Sequence, residues 1–225
     1  METRFYSEKN WKATDYSGSL LYTRQEKAAP SWNCWIKRGF DVLAASLGMV
    51  LASPLYLMIY CAIKWEDGGD AIFKQERIGY GGKPFILYKF RSMIARAEQE
   101  GEPRLCEKDD KRLTRVGKFI REHHLDELPQ LWNVLKGDMS FVGYRPERRF
   151  FVDRIIAANP DYRRLYQTRP GLFSMATLYN GYTDSMEKML RRLRMDLDYM
   201  DHRSFGLDMK IIWLTVSSIL SGKKF

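Results

Sequence analysis

The sequence predicts a small mixed α/β domain, rich in helix, attached to an N-terminal apolar helix that breaks near its middle. Three observations predict it. Val42 to Ile63 is a run of 22 residues without a charge, with Ser53-Pro54 near its centre. Ala71-Ile72-Phe73 and Pro84-Phe85-Ile86-Leu87-Tyr88 flank a polar stretch holding Gly79, Gly81 and Gly82, the pattern of two short strands around a glycine-rich turn. Beyond residue 112, stretches of helical period alternate with proline and glycine breaks.

In chain order, residues 1–34 are polar with scattered aromatics and read as a loosely ordered leader. They lack the basic start, apolar stretch and small-residue cleavage site of a signal peptide. The second segment, 35–66, carries the apolar run. As one helix that run is roughly 33 Å long, about one bilayer core. A proline within it removes a backbone hydrogen bond and at the least kinks the rod. Lys37 and Arg38 precede the run, and Lys64 and Lys74 follow it. Basic residues on both flanks favour both ends on the cytoplasmic side. Three readings fit: a re-entrant hairpin broken at Ser53 and Pro54, a kinked spanning helix, and a buried helix of a soluble core.

Asp67-Gly68-Gly69-Asp70 is a turn that opens the third segment, 67–225. After the two strands, residues 96–112 are highly charged and read as a solvated helix or loop. Thr114 to Glu122 predicts a helix with Val116, Phe119 and Ile120 on one face, and Leu128 to Leu135 predicts a second. Pro146 to Tyr166 is rich in arginine and aromatics and reads as helical, up to a break at Arg169-Pro170-Gly171. Met186, Met189, Leu190, Leu193, Leu197 and Met200 form one face of a helix near 184–200, a stripe that suits core packing. Ile211 to Leu220 is too short to span a membrane, and its basic end at Lys223-Lys224 suits a membrane surface.

Lysine and arginine total 37 against 28 acids, a net charge of +9. That surplus fits a phosphorylated substrate, an anionic membrane or a nucleic acid. No helix-turn-helix, zinc-finger or RNA-recognition pattern accompanies it, which argues against nucleic acid. At 45% hydrophobic residues the chain is not disordered overall. Cys34, Cys61 and Cys106 are far apart, and neither they nor His123, His124 and His202 have metal-site spacing.

The densest chemical signal is Leu125-Asp126-Glu127-Leu128-Pro129-Gln130. Because proline is tolerated in a helix only near its start, Asp126 and Glu127 read as lying at a helix N-terminus. There they could bind Mg²⁺, one could act as a nucleophile, or Asp126 could simply cap the helix. A second signal is a set of basic residues beside glycines and prolines: Arg77-Ile78-Gly79, Lys89-Phe90-Arg91, Gly143-Tyr144-Arg145-Pro146 and Arg169-Pro170-Gly171. Arginine grips phosphate oxygens in bidentate fashion. Several such groups around an acidic pair fit phosphoryl transfer.

From Lys37 to the C-terminus the order of motifs resembles the monotopic polyprenyl-phosphate phosphoglycosyl transferases, bacterial sugar transferases that begin exopolysaccharide, O-antigen and capsule assembly. The matching pieces are Lys37-Arg38-Gly39-Phe40-Asp41, Ser53-Pro54, Gln75-Glu76-Arg77-Ile78-Gly79, Tyr88-Lys89-Phe90-Arg91-Ser92-Met93, and the run from Leu125 through Asn133 and Gly143 to Arg145. The resemblance implies a domain held on the cytoplasmic face of the bacterial inner membrane by a re-entrant helix-break-helix at Ser53-Pro54. It implies that Asp126 attacks the sugar-bearing phosphate of a UDP-sugar, that UMP leaves, and that a polyprenyl phosphate then takes the phosphosugar from the aspartyl intermediate. Glu127 is the second dyad member, and Asp126 and Glu127 hold Mg²⁺. Lys89, Arg91 and Arg145 supply charge for phosphate, and Asp196 belongs to the polar framework. A homodimer and downstream glycosyltransferases are the further partners implied, with no nucleic acid.

The sequence departs from the family at two places. The family usually has proline where Tyr144 stands, and a tryptophan-bearing stretch where Leu172 to Thr177 stands, so sugar choice is left open. Long relatives carry an extra multi-span N-terminal region, and this chain resembles the minimal catalytic unit. The competing readings are an inactive membrane-anchored scaffold of a polysaccharide-synthesis complex and, on charge alone, a nucleic-acid binder.

Overall fold

A computed structural model describes residues 34–94, 110–180, 183 and 185–221. The leader, most of the charged stretch 96–112 and Lys223-Lys224 lie outside the described residues.

The apolar segment forms one long helix, α1 (Cys34–Asp67), with Pro54 inside it. Pro54 lacks the N–H that would bond the Val50 carbonyl, and the Ser53 hydroxyl donates to that carbonyl instead, at 2.8 Å. The helix therefore runs through the Ser-Pro pair rather than ending there. Most of its apolar side chains face outward: Leu43, Leu47, Val50, Leu51, Leu57 and Met58 are exposed. It is the one described helix long and apolar enough to cross a membrane.

The expected hairpin of strands is present and longer than its apolar cores: β1 (Ile72–Ile78) pairs antiparallel with β2 (Pro84–Phe90). The turn between them uses Gly81 and Gly82 at positive φ, where a side chain would be strained. Next come α2 (Arg115–Glu122), a 3-10 turn (Leu125–Glu127) and α3 (Gln130–Lys136). On α2, Ile120 is buried as the periodicity predicts, but Phe119 faces solvent.

β3 (Ser140–Val142) pairs in parallel with β4 (Gly171–Phe173), a two-stranded unit that the residue pattern does not predict. Gly143 and Gly171 make this closeness possible. A Cβ on Gly171 would lie 2.1 Å from the Gly143 nitrogen, so the Arg169-Pro170-Gly171 break lets two backbones meet. Between these strands lie α4 (Arg149–Ala158) and a 3-10 segment (Pro160–Gln167). The chain closes with α5 (Met175–Asn180), α6 (Met186–His202) and α7 (Phe205–Leu220). Met189, Leu193 and Met200 of α6 are buried against Ile78, Phe151, Val152, Ile155 and Leu165, the packing that their spacing predicts.

Three apolar clusters organise the body. One joins Ala45 of α1 to Leu131 and Val134 of α3 and to β3, Tyr199 and Ile211. Another joins Ile59 and Ile63, on the other arm of α1, to Phe90 and Ile120. Both arms of the apolar helix thus pack on the body that holds the strands.

Candidate active site

The acidic pair lies in the 3-10 turn, not in a helix. Pro129 is the N-cap residue of α3, which starts at Gln130, so Asp126 and Glu127 precede the helix and neither caps it. This corrects the capping reading and moves the pair from the start of α3 to the first turn of the short 3-10 helix before it. The turn follows His124, held in the left-handed region at φ 55, the one non-glycine residue with positive φ among those described.

Three other elements converge on the turn. Lys89 reaches from β2, and its Nζ is 2.7 Å from Glu127 Oε1 and 3.9 Å from Asp126 Oδ2. Arg145 reaches from the loop after β3, and its Nη2 donates to the same Glu127 oxygen at 2.8 Å. Glu127 is thus bridged by two cations, while Asp126 keeps only the more distant ion pair to Lys89. Charge separates the two carboxyls. Burial pushes Asp126 up, to about 6; Lys89 opposes this and the Glu127 charge adds to it. Burial also raises Glu127, but Arg145 and Lys89 outweigh it and hold this carboxyl well below the usual range. One member of the pair is bridged by two cations, and the other is a buried carboxyl with only the 3.9 Å ion pair to Lys89.

Asp196 of α6 stands behind Arg145. The Arg145 backbone N–H donates to it, and burial raises its carboxyl to about 7. It is thereby tied to the backbone of the loop that carries Arg145. Arg91 takes a different place: its guanidinium pairs with Asp67 at the end of α1, not with the acidic pair. Arg77 is engaged by Gln75 and by Glu147, and Arg169 donates to the Gly137 carbonyl at 2.9 Å. Of the basic groups singled out in the sequence, Lys89 and Arg145 meet at the turn.

The sequence reading missed Glu147. It is buried between Arg192, at 2.6 Å, and Arg77, at 3.0 Å. Its partners lie 70 and 45 positions away, so only the neighbouring Arg145-Pro146 could have hinted at it. Ser53 and Pro54 are exposed, near the middle of α1.

Among the described residues no group of three or more His, Cys, Asp and Glu side chains gathers to hold a metal. The acidic pair alone fits Mg²⁺ in kind, since that ion accepts one or two carboxylates and fills its remaining positions with substrate phosphates and water.

A family model described as bacterial sugar transferase matches residues 32–222. The chain is 43% identical over 188 residues to a UDP-N-acetylgalactosamine-undecaprenyl-phosphate N-acetylgalactosaminephosphotransferase of Aeromonas hydrophila, an alignment covering 84% of this chain and 44% of that protein. It is 43% identical over 187 residues to a UDP-glucose:undecaprenyl-phosphate glucose-1-phosphate transferase of Caulobacter vibrioides, covering 82% and 70%. It is 39% identical over 193 residues to a protein of the same name in Escherichia coli, covering 82% and 40%. The chain spans less than half the length of the Aeromonas and Escherichia relatives. With its matched region covering nearly all of the described fold, the chain belongs to the bacterial sugar transferase family.

Proposed function

We propose that the protein transfers a sugar 1-phosphate from a UDP-sugar to undecaprenyl phosphate, releasing UMP and forming a polyprenyl-diphosphosugar, the first membrane step of glycoconjugate assembly. The observation that carries this reading is the asymmetric pair: Asp126, without a close cation, beside Glu127, neutralised by Lys89 and Arg145.

A carboxylate oxygen of Asp126 bonds to the sugar-bearing phosphorus, and the bridging P–O bond breaks toward UMP. An oxygen of the lipid phosphate then bonds to the same phosphorus, and the Asp126–phosphorus bond breaks to return the carboxylate. Neither step needs a proton, so positioned charge is the main requirement. Lys89 and Arg145 lie where charge develops on the transferred phosphoryl oxygens, and Glu127 keeps both in place between turnovers. Mg²⁺, held by Asp126 and Glu127 with the donor's diphosphate, would supply further charge neutralisation.

Two contacts of α1 support the membrane placement proposed for it. Its N-terminal arm is tied to α3 through Arg38 and its C-terminal end to α2 through Glu66. Both ends of a straight rod of this length, roughly 50 Å, could not engage one small body while its middle crossed a bilayer. Re-entry at Ser53-Pro54, with segments 35–66 in the membrane and 67–225 on the cytoplasmic face, satisfies both. Relatives named for undecaprenyl-phosphate substrates support the lipid acceptor.

The test is UMP release from full-length protein in detergent with Mg²⁺, undecaprenyl phosphate and a panel of UDP-sugars. Release that needs the lipid, and that Asp126→Asn abolishes, is the expected result. Folded protein that stays silent across the panel while binding partner proteins tightly would replace this reading with the scaffold.

A further inference from the structure

The catalytic turn is part of the connection between α2 and α3, and α1 grips the far end of each. At the start of α2, Glu66 Oε1 accepts from the Arg115 and Val116 N–H groups at 2.8 and 3.3 Å. Thr114 Oγ1 accepts from Gly117 N–H at 2.9 Å, and Lys118 N–H bonds the Thr114 carbonyl. Glu66 therefore satisfies the two N–H groups that Thr114 cannot reach. At the end of α3, Arg38 Nη1 and Nη2 donate to the Val134 and Leu135 carbonyls at 2.6 and 2.7 Å. Gly137, at φ 97, ends the helix beside this guanidinium.

Helices of 8 and 7 residues have little stability of their own, so what holds their ends fixes where they lie. The two grips sit on opposite arms of α1, one on each side of Ser53-Pro54. Between the gripped helices lie left-handed His124 and the turn that carries both carboxyls.

We propose that Arg38 and Glu66 are positioning residues for the acidic pair, so that the membrane helix sets the spacing of α2 and α3 and, through it, the geometry of Asp126 and Glu127. The proposal rests on the transferase reading for its effect on rate, but its structural half stands apart from it. The full chain in lipid nanodiscs is compared with Glu66→Ala, Arg38→Ala and Glu66→Gln, whose amide oxygen still accepts from the α2 N–H groups. Each alanine variant lowers kcat by about tenfold or more, with KM for the UDP-sugar within about twofold. Glu66→Gln recovers most of the loss. Amide hydrogen exchange at residues 123–129 rises in both alanine variants, while exchange in α6 is unchanged. Loosening confined to 115–117 in Glu66→Ala, with 123–129 unchanged, overturns the proposal, as does a rise in KM at constant kcat. If no UDP-sugar supports turnover of the wild type, the transferase reading fails, and exchange at 123–129 still decides the coupling.

Discussion

Two glutamates in this molecule each bridge two cations, and they do different work. Glu147 lies between Arg77 and Arg192, with its own side chain and that of Arg192 almost wholly buried. Glu127 lies between Lys89 and Arg145, and the Arg145 side chain is one-third exposed. Burial raises both carboxyls and their cations lower both further, so both are ionised. The difference is the neighbour. Glu127 has a second carboxyl next to it in the chain, Asp126, whose nearest cation is Lys89 at 3.9 Å, whereas the raised carboxyl near Glu147, Asp196, is held by the Arg145 backbone N–H. A closed ion triad ties β1 and α6 to the loop of Arg145. The open one, with Asp126 added, is the cluster to which the proposed function assigns the chemistry.

The largest expected effect breaks the open cluster alone. Asp126→Asn lowers turnover by at least roughly 10³-fold, as removal of a nucleophile does, while the melting temperature holds or rises because a buried charge is gone. UMP release and thermal unfolding on one preparation read both. Retained turnover would move the nucleophile elsewhere.

Breaking the closed cluster reverses the pattern. Glu147→Ala leaves two buried guanidiniums without their counter-ion and costs about 3–5 kcal/mol of stability. Denaturant unfolding measures it. Glu127→Gln, in contrast, costs less than Glu147→Ala, because the amide oxygen still accepts from Lys89 and Arg145 and the Arg145 side chain is one-third exposed. Equal losses from the two would erase the distinction between them.

How much of this was legible in the sequence depends on how far apart the partners lie. Asp126 and Glu127 are adjacent and stand in a dense local run, so they could be named, and Lys89 and Arg145 could be named with them from their motifs. The turn itself could not be read, because Pro129 fits both the first turn of a helix and the N-cap before it, and only the backbone decides. The β1–β2 hairpin was readable from its glycines. β3 and β4 were not, since three residues each, separated by a helix and a 3-10 segment, leave no period to count. Glu147 and the grips of Arg38 and Glu66 depend on contacts dozens of residues away, which a single sequence does not display. Arg91 looked like a phosphate ligand because it is two residues from Lys89, and the end of α1 claims it instead.

The two clusters also differ in how they titrate. On the proposed mechanism Asp126 attacks in its ionised form, and its carboxyl is raised to about 6, so kcat/KM is expected to rise with pH through that region. Glu127→Gln removes the charge that helps raise it and frees Lys89 to pair with it. Both effects lower the Asp126 pKa, so the acid limb of the surviving activity moves to lower pH. A limb that stays in place would mean that the two carboxyls do not communicate.

Asp196 gives a stability counterpart. Its folded value of about 7 lies above the ordinary 3.8, so holding it ionised costs stability fully above pH 7. That cost fades as pH falls from 7 toward 4 and is gone below the ordinary value of 3.8, where the unfolded carboxyl protonates as well. Asp196→Asn therefore stabilises the protein at pH 8, on the order of 2–4 kcal/mol, and the gain shrinks to near zero by pH 4. Thermal unfolding at the two pH values checks the sign, and a gain independent of pH would assign the effect to packing.

The smallest effect concerns Tyr144, between Gly143, which follows β3, and Arg145. Its ring packs with Ile78, Phe151 and Val152, and its hydroxyl is buried without a hydrogen-bond partner. Burial, with Tyr166 and Asp196 nearby, pushes that hydroxyl far up, so it stays neutral. An unpartnered buried hydroxyl adds desolvation cost and no bond, so Tyr144→Phe is neutral or stabilising by about 1 kcal/mol. Turnover holds as well if the ring alone stiffens the loop that aims Arg145. A loss of kcat at unchanged stability would instead give the hydroxyl a role at the site, through Asp196, whose own unpartnered oxygen is also buried.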